Sequence, residues 1–186
     1  MISKRCLSKL LLLAALVTFG NCASALPVPK SNLRYFYEVD SWLARGAQPT
    51  KAGFVELKNR GFRTVINFRH EPKWIEWERE VVEGLRMNYV SLPWSITKDA
   101  PGDLLDRFFE VLDNPLNRPV FYHCKHGRDR TGAITVITLM HYKKLSEGEA
   151  RDRAFRDVSP NLRYRMYVNR RIRDFVRSFE WESAKS

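Results

Sequence analysis

His123-Cys124-Lys125-His126-Gly127-Arg128-Asp129-Arg130-Thr131-Gly132 is the segment of this chain whose residue types and spacing can do chemistry. Cys124 and Arg130 are separated by five residues. A thiolate at Cys124 is a nucleophile. A loop that turns its backbone N–H groups inward at the start of a helix stabilises an anion. The planar fork of Arg130 offers two donors to two oxygens of a phosphate. Attack, anion binding and charge neutralisation within ten residues point to phosphoryl transfer. A buried structural cysteine is the plainer alternative, and it leaves a polar, arginine-rich, glycine-containing loop unexplained. For attack, Cys124 has to be ionised near neutral pH. A free thiol has a pKa of about 8.5, and helix N-termini with cationic neighbours lower it to roughly 3.5–7.5. Thr131 can donate its hydroxyl to the sulfur, and His123 is expected to position the loop through hydrogen bonds. A metal site built from His123, Cys124 and His126 is disfavoured, because adjacent residues diverge and no second ligand pair is evident.

The elements that must hold this segment are legible around it. Pro119 to Tyr122 reads as a strand feeding Cys124, and Gly132 to Lys143 as an apolar helix able to bury its full circumference. Upstream, Tyr35 to Val39, Trp42 to Arg45, Thr64 to Phe68 and Asn88 to Trp94 read as strands. Thr50 can cap a helix that runs to about Arg60 and stops at Gly61. Trp74 to Arg86 and Asp103 to Leu112 read as further helices. Ser146-Glu147-Gly148-Glu149 is a capping box, and Ser159-Pro160 starts a last helix with proline at its first position. Trp74, Trp77, Phe108 and Phe109 fall at helical spacing and are expected in the core. Alternating strands and helices predict an α/β fold, a central mostly parallel sheet flanked by helices. The Cys124 loop then lies between a central strand and a helix, at the end of the sheet where such folds bind ligands.

The ten-residue segment resembles the active-site loop of the Cys-dependent tyrosine and dual-specificity phosphatases. Their pattern is His-Cys, five intervening residues, Arg, then Ser or Thr, and His123, Cys124, Gly127, Arg130 and Thr131 match it. Ala44 to Thr50, Leu57 to Gly61 and Val65 to Arg69 look like the N-terminal half of small bacterial dual-specificity-like phosphatases. These are similar to the atypical enzymes of plants and fungi that act on inositol pyrophosphates. The likeness spans about Tyr35 to Met140. It implies a tyrosine-phosphatase-like fold, a phospho-cysteine intermediate and no cofactor. It also implies a general acid, an Asp on a movable loop ahead of the helix that precedes the nucleophile strand. That loop is Ser95 to Asp103 here. Asp99 is the first choice for the acid and Asp103 the alternative, Asp103 being also a natural cap for the next helix.

The pocket would be formed by Lys125, His126, Gly127, Arg128, Asp129 and Arg130. The cationic rim of Lys125, His126 and Arg128 suits any phosphate, and polyphosphorylated inositol rings in particular. Arg45, Asn67 and Arg69 fall either near the pocket or in the packing of the sheet edge. The expected activity is phosphomonoester hydrolysis on a phosphorylated protein, alternatively on an inositol phosphate or phosphoinositide. A phosphate-binding pseudophosphatase is the non-catalytic alternative.

The chain has 186 residues, a net charge of +11 and three cysteines. Lys4, Arg5 and Lys9, the apolar run Leu10 to Phe19, and Ala23-Ser24-Ala25 read as a secretory signal peptide cut after Ala25. The expected organisation is residues 1–25 as signal and 26–186 as a single phosphatase domain, exported to a periplasm or secreted. An uncleaved N-terminal membrane tether is the alternative. Cleavage removes Cys6 and Cys22, leaves Cys124 as the lone thiol, and rules out an internal disulfide framework. Without Lys4, Arg5 and Lys9, the 32 basic residues fall to 29 against 21 acidic, a net charge of +8. Such a surface favours anionic partners. The arginines toward the C-terminus (Arg151, Arg153, Arg156, Arg163, Arg165, Arg170, Arg171, Arg173 and Arg177) read as a solvated helix face. No nucleic-acid-binding fold signature accompanies them, and no nucleic-acid partner is expected.

Overall fold

The computed structural model describes residues 32–155 and 170–183. Residues 1–25, Ser159-Pro160, Arg156, Arg163 and Arg165 lie outside the described residues. Along the described chain come β1 (Tyr37–Asp40), β2 (Leu43–Ala47), α1 (Lys51–Asn59), β3 (Thr64–Asn67), α2 (Pro72–Gly84), β4 (Asn88–Ser91), α3 (Leu104–Asp113), β5 (Val120–Cys124), α4 (Asp129–Lys143), α5 (Glu147–Ala154) and α6 (Arg170–Ser183). The strands form one sheet in the order β1-β2-β5-β3-β4. Only the β1–β2 hairpin is antiparallel; β2–β5, β5–β3 and β3–β4 are parallel. The expected α/β architecture with a mostly parallel sheet is therefore present, and β5 is its middle strand.

Period-two alternation along β5 sends successive side chains to opposite faces, and both faces are covered, as parallel sheets require. Val120, Tyr122 and Cys124 join a core with Leu43, Ile66, Phe108 and the inner residues of α4. Phe121 joins the second core with Ala44, Val65, Phe54 and Val82, beneath α1 and α2. Arg130 through Met140 are all buried, so α4 is wrapped on every side. Its threonines are tolerated there because Thr135 and Thr138 donate their hydroxyls to Thr131 O and Ile134 O, 2.6 Å each. No helix among the described residues is long and apolar enough to cross a membrane.

Element boundaries differ from the sequence expectation for physical reasons. Tyr35 is not in a strand, because its φ of 55° places it in the left-handed region. The expected strand from Asn88 ends at Ser91, since Pro93 has no N–H for a ladder. The extended path continues, with Leu92 N and Trp94 N donating to Asn67 O (2.9 Å) and Phe68 O (3.4 Å). Thr50 caps α1 by accepting from Gly53 N, and both bonds of the capping box at Ser146 are formed. Trp74 is 40% exposed rather than in the core. The Arg69 guanidinium, 4.7 Å from its ring centroid, covers it.

Candidate active site

Cys124 ends β5 opposite Ala47, the last residue of the β2 pairing, and is almost fully buried. The chain then turns through Lys125–Arg128 into α4. Gly127 has φ +67°, and a Cβ there would stand 2.5 Å from Ala47 N and 2.6 Å from Gly46 C. Only glycine permits the loop to press this closely on the end of β2. Arg128 is the N-cap of α4 and Asp129 its first residue, in the turn where a helix favours negative charge. Arg130 points back from the first turn. Its Nη1 donates to Phe68 O at 2.7 Å and Trp94 O at 2.8 Å. The ends of β3 and of the β4 path thus fix one corner of the guanidinium and leave Nε and Nη2 as the remaining donors. Thr131 Oγ1 is buried without a hydrogen-bond partner among the described residues. The expected bond from it to the Cys124 sulfur is accordingly not formed.

Under the sheet lies a buried polar network that the spacing of the loop residues did not announce. His123 Nε2 lies 2.7 Å from Glu78 Oε1, and both side chains are fully buried. Glu78 Oε2 accepts from Gln48 Nε2 at 2.8 Å and Asn67 Nδ2 at 3.1 Å. Asn67 Oδ1 accepts from Arg69 N at 2.7 Å. Arg69 donates to Gln48 Oε1 and, through Nε and Nη2, to both oxygens of Glu71. That fork holds the Glu71 carboxyl far below its usual range, at about 2. Asn67 and Arg69 therefore support the site from beneath. Arg45 supports it from the side, donating to Gly127 O at 3.4 Å and to Ala154 O at the end of α5. Glu78 was missed by sequence reasoning. Its signal is its position in the apolar stripe of α2, between Trp74 and Trp77 on one side and Val81 and Val82 on the other.

Lys125 and His126 are exposed at the rim. Burial first, then Lys125 and Arg128, lowers the His126 pKa, so the rim charge near neutral pH rests on Lys125 and Arg128. Arg128 Nη2 donates to the hydroxyl of Tyr35 at 2.9 Å and lies over its ring, 5.2 Å from the centroid. That bond lowers the Tyr35 pKa. Tyr35 was expected only as strand, and nothing in its local sequence marks it for the rim.

Of the two candidate acids, Asp99 is exposed in the segment after β4, beside a cavity of about 410 Å³ shared with Ala100, Pro101, Asp174 and Phe175 of α6. Trp94 anchors that segment: its Nε1 donates to Lys98 O at 3.4 Å and its ring packs 4.7 Å from Phe175. Asp103 stands at the N-cap of α3 as expected, yet its side chain makes no capping bond. It lies instead 3.7 Å from Arg107 Nη1.

The family described as "DSP-PTPase phosphatase fused to NAD+ Kinase" matches residues 28–162. "Probable NAD kinase 2, chloroplastic" of rice is 28% identical over 111 residues, covering 58% of this chain and 11% of that protein. "Inositol diphosphatase DSP2" of rice is 27% identical over 115 residues, covering 60% of this chain and 55% of that protein. The chain thus spans about half or less of these curated relatives. Among solved structures, the catalytic core of the PP-IP phosphatase SIW14 from S. cerevisiae superposes with a TM-score of 0.59 at 19% identity. That superposition covers 81% of this chain and 96% of the yeast core.

Proposed function

The chain belongs to the family of dual-specificity-type phosphatase domains described as fused to NAD+ kinase, and from that premise we propose that it hydrolyses phosphomonoesters through Cys124. The Cys124 sulfur attacks phosphorus in line with the leaving oxygen. The S–P bond forms as the P–O bond breaks, and Asp99 gives its proton to the departing oxygen. Loop amides from Lys125 onward and the Nε–Nη2 edge of Arg130 hold the equatorial oxygens, whose charge is greatest in the transition state. Water, losing its proton to Asp99, then displaces the sulfur from the phospho-cysteine. The unpartnered hydroxyl of Thr131 is the donor available to the departing thiolate. No step calls on a metal ion.

The observation that carries this reading is the placement of Arg130. Two main-chain carbonyls fix its Nη1, so the rest of its fork is held in place beside the loop that follows Cys124. Release of phosphate from p-nitrophenyl phosphate in EDTA tests it. Cys124→Ser should abolish release, and equal rates in the two proteins would overturn the mechanism.

The substrate class divides into two readings. A phosphorylated protein needs only the loop. An inositol polyphosphate is favoured by the rim, where Arg34 and Arg128 both lie over Tyr35 and Lys125 and Arg128 both act on His126, none of the three cations with a carboxylate ion-pair partner among the described residues. The rice relative is named an inositol diphosphatase and the yeast core a PP-IP phosphatase. Comparing release from phosphopeptides with release from inositol polyphosphates decides between the readings. Tight phosphate capture without turnover would instead indicate a pseudophosphatase.

A further inference from the structure

Among the described residues, His123 and Glu78 are the one imidazole–carboxyl contact with both side chains fully buried. The carboxylate has three hydrogen-bonding neighbours. Oε2 takes N–H groups from Gln48 and Asn67, and Oε1 faces His123 Nε2 at 2.7 Å. At 2.7 Å the two atoms share one hydrogen, whichever of them carries it. On the other side of the ring, Nδ1 faces the carbonyl oxygen of Cys124 at 3.4 Å. A carbonyl is an acceptor only, so Nδ1 carries a hydrogen. A line of two hydrogens then runs from Glu78 through the imidazole to the nucleophile's own peptide group. That peptide is planar and trans, so the N–H of Lys125 points opposite to the Cys124 carbonyl. Holding the carbonyl toward the ring turns this first amide of the loop away from it. Because side chains alternate along β5, the direction away from the ring is the direction of the Cys124 side chain.

We infer that Glu78 is a positioning residue for the nucleophile: through His123 it fixes the Cys124 carbonyl and thereby aims the Lys125 N–H at the anion held by the loop. The effect on turnover rests on the proposed Cys124 chemistry. The effect on anion binding does not.

The test uses the full chain. In the wild-type protein, a long-range proton–nitrogen spectrum should show a hydrogen on Nδ1 of His123. A spectrum with Nδ1 bare would overturn the inference whatever the variants do. Glu78→Gln keeps the side-chain volume but turns an N–H₂ toward a ring of donors. It should weaken binding of tungstate by about tenfold and lower kcat on p-nitrophenyl phosphate by about tenfold to a hundredfold. The double variant with His123→Asn should lose no more than His123→Asn alone, because both act through one ring. Multiplying losses, or wild-type tungstate affinity in Glu78→Gln, would refute the assignment. A wild-type protein that turns over nothing, yet binds tungstate more tightly than Glu78→Gln, would remove the proposed reaction and leave the positioning role standing.

Discussion

Nη1 of Arg130 stands 2.8 Å from the carbonyl oxygen of Trp94. The same nitrogen reaches Phe68 O at 2.7 Å, so a single corner of one guanidinium joins the ends of two parallel strand paths. Trp94 is also where the segment bearing Asp99 departs, with its indole N–H on Lys98 O. Arg130 is thus tied to the scaffold from which the Asp99 segment departs.

Arg130→Lys is accordingly expected to damage fold and turnover together. A flexible ammonium cannot reproduce the fork, and at least one buried carbonyl loses its donor, at a cost of about 1–3 kcal/mol. Turnover should drop by about 10²–10³ with the loss of a preorganised donor. Urea unfolding and p-nitrophenyl phosphate kinetics on the same preparation measure both. An unchanged unfolding midpoint would mean the two carbonyl contacts contribute nothing to stability.

Gly127→Ala meets two obstacles. The φ of +67° costs a residue with a Cβ about 1–2 kcal/mol, and the new carbon would collide with Ala47 N at 2.5 Å. The loop must lift off β2, so tungstate binding should be lost and the thermal midpoint should fall. Retained tungstate binding would show that the cradle does not depend on this close approach.

Asp99→Asn and Asp103→Asn separate the two candidate acids. If Asp99 protonates the leaving oxygen, its loss should slow phenyl phosphate by about 10²–10⁴ and p-nitrophenyl phosphate much less. The second leaving group departs without help. Asp103→Asn should slow both substrates little, since that carboxylate faces Arg107. The reverse pattern would transfer the role to Asp103.

Glu71 supplies a pH signature. The Arg69 fork depresses its pKa from the ordinary 4.5 to about 2. A depressed carboxylate stabilises the folded state above its unfolded pKa and loses that contribution as pH falls through the folded value. The stability gap between wild type and Glu71→Gln should be constant above about pH 5 and close toward pH 2. Because the carboxylate is 32% exposed, the gap should be about 1 kcal/mol or less. A gap that does not change between pH 6 and pH 2, followed by urea unfolding, would show that Arg69 and Glu71 are not coupled in this way.

Much of the candidate site could be read along the chain, because its central parts are contiguous. A strand, a loop and a helix supply Cys124, the amides and Arg130 from ten neighbouring residues, and local spacing alone suffices to find them. The two capped helices at Thr50 and Ser146 were legible for the same reason. The supports were not, because they converge from distant positions: Glu78 is 45 residues from His123, and Tyr35 is 93 from Arg128. A glutamate in an apolar stripe was the available sign of the first. Trp74 misled because helical spacing does not say which flank of the stripe a neighbouring arginine will cover.

His123 and Cys124 are consecutive, yet the pleat of β5 sets them on opposite sides of the sheet. The sheet therefore stands between the face that carries Cys124 and the hidden layer that holds His123 and Glu78. On the proposed chemistry, exchanging Lys125 or Arg128 would retune which phosphate esters are accepted without disturbing the α1–α2 layer. Conversely, substitutions in that hidden layer would dim the rate for every ester alike and leave their rank order intact.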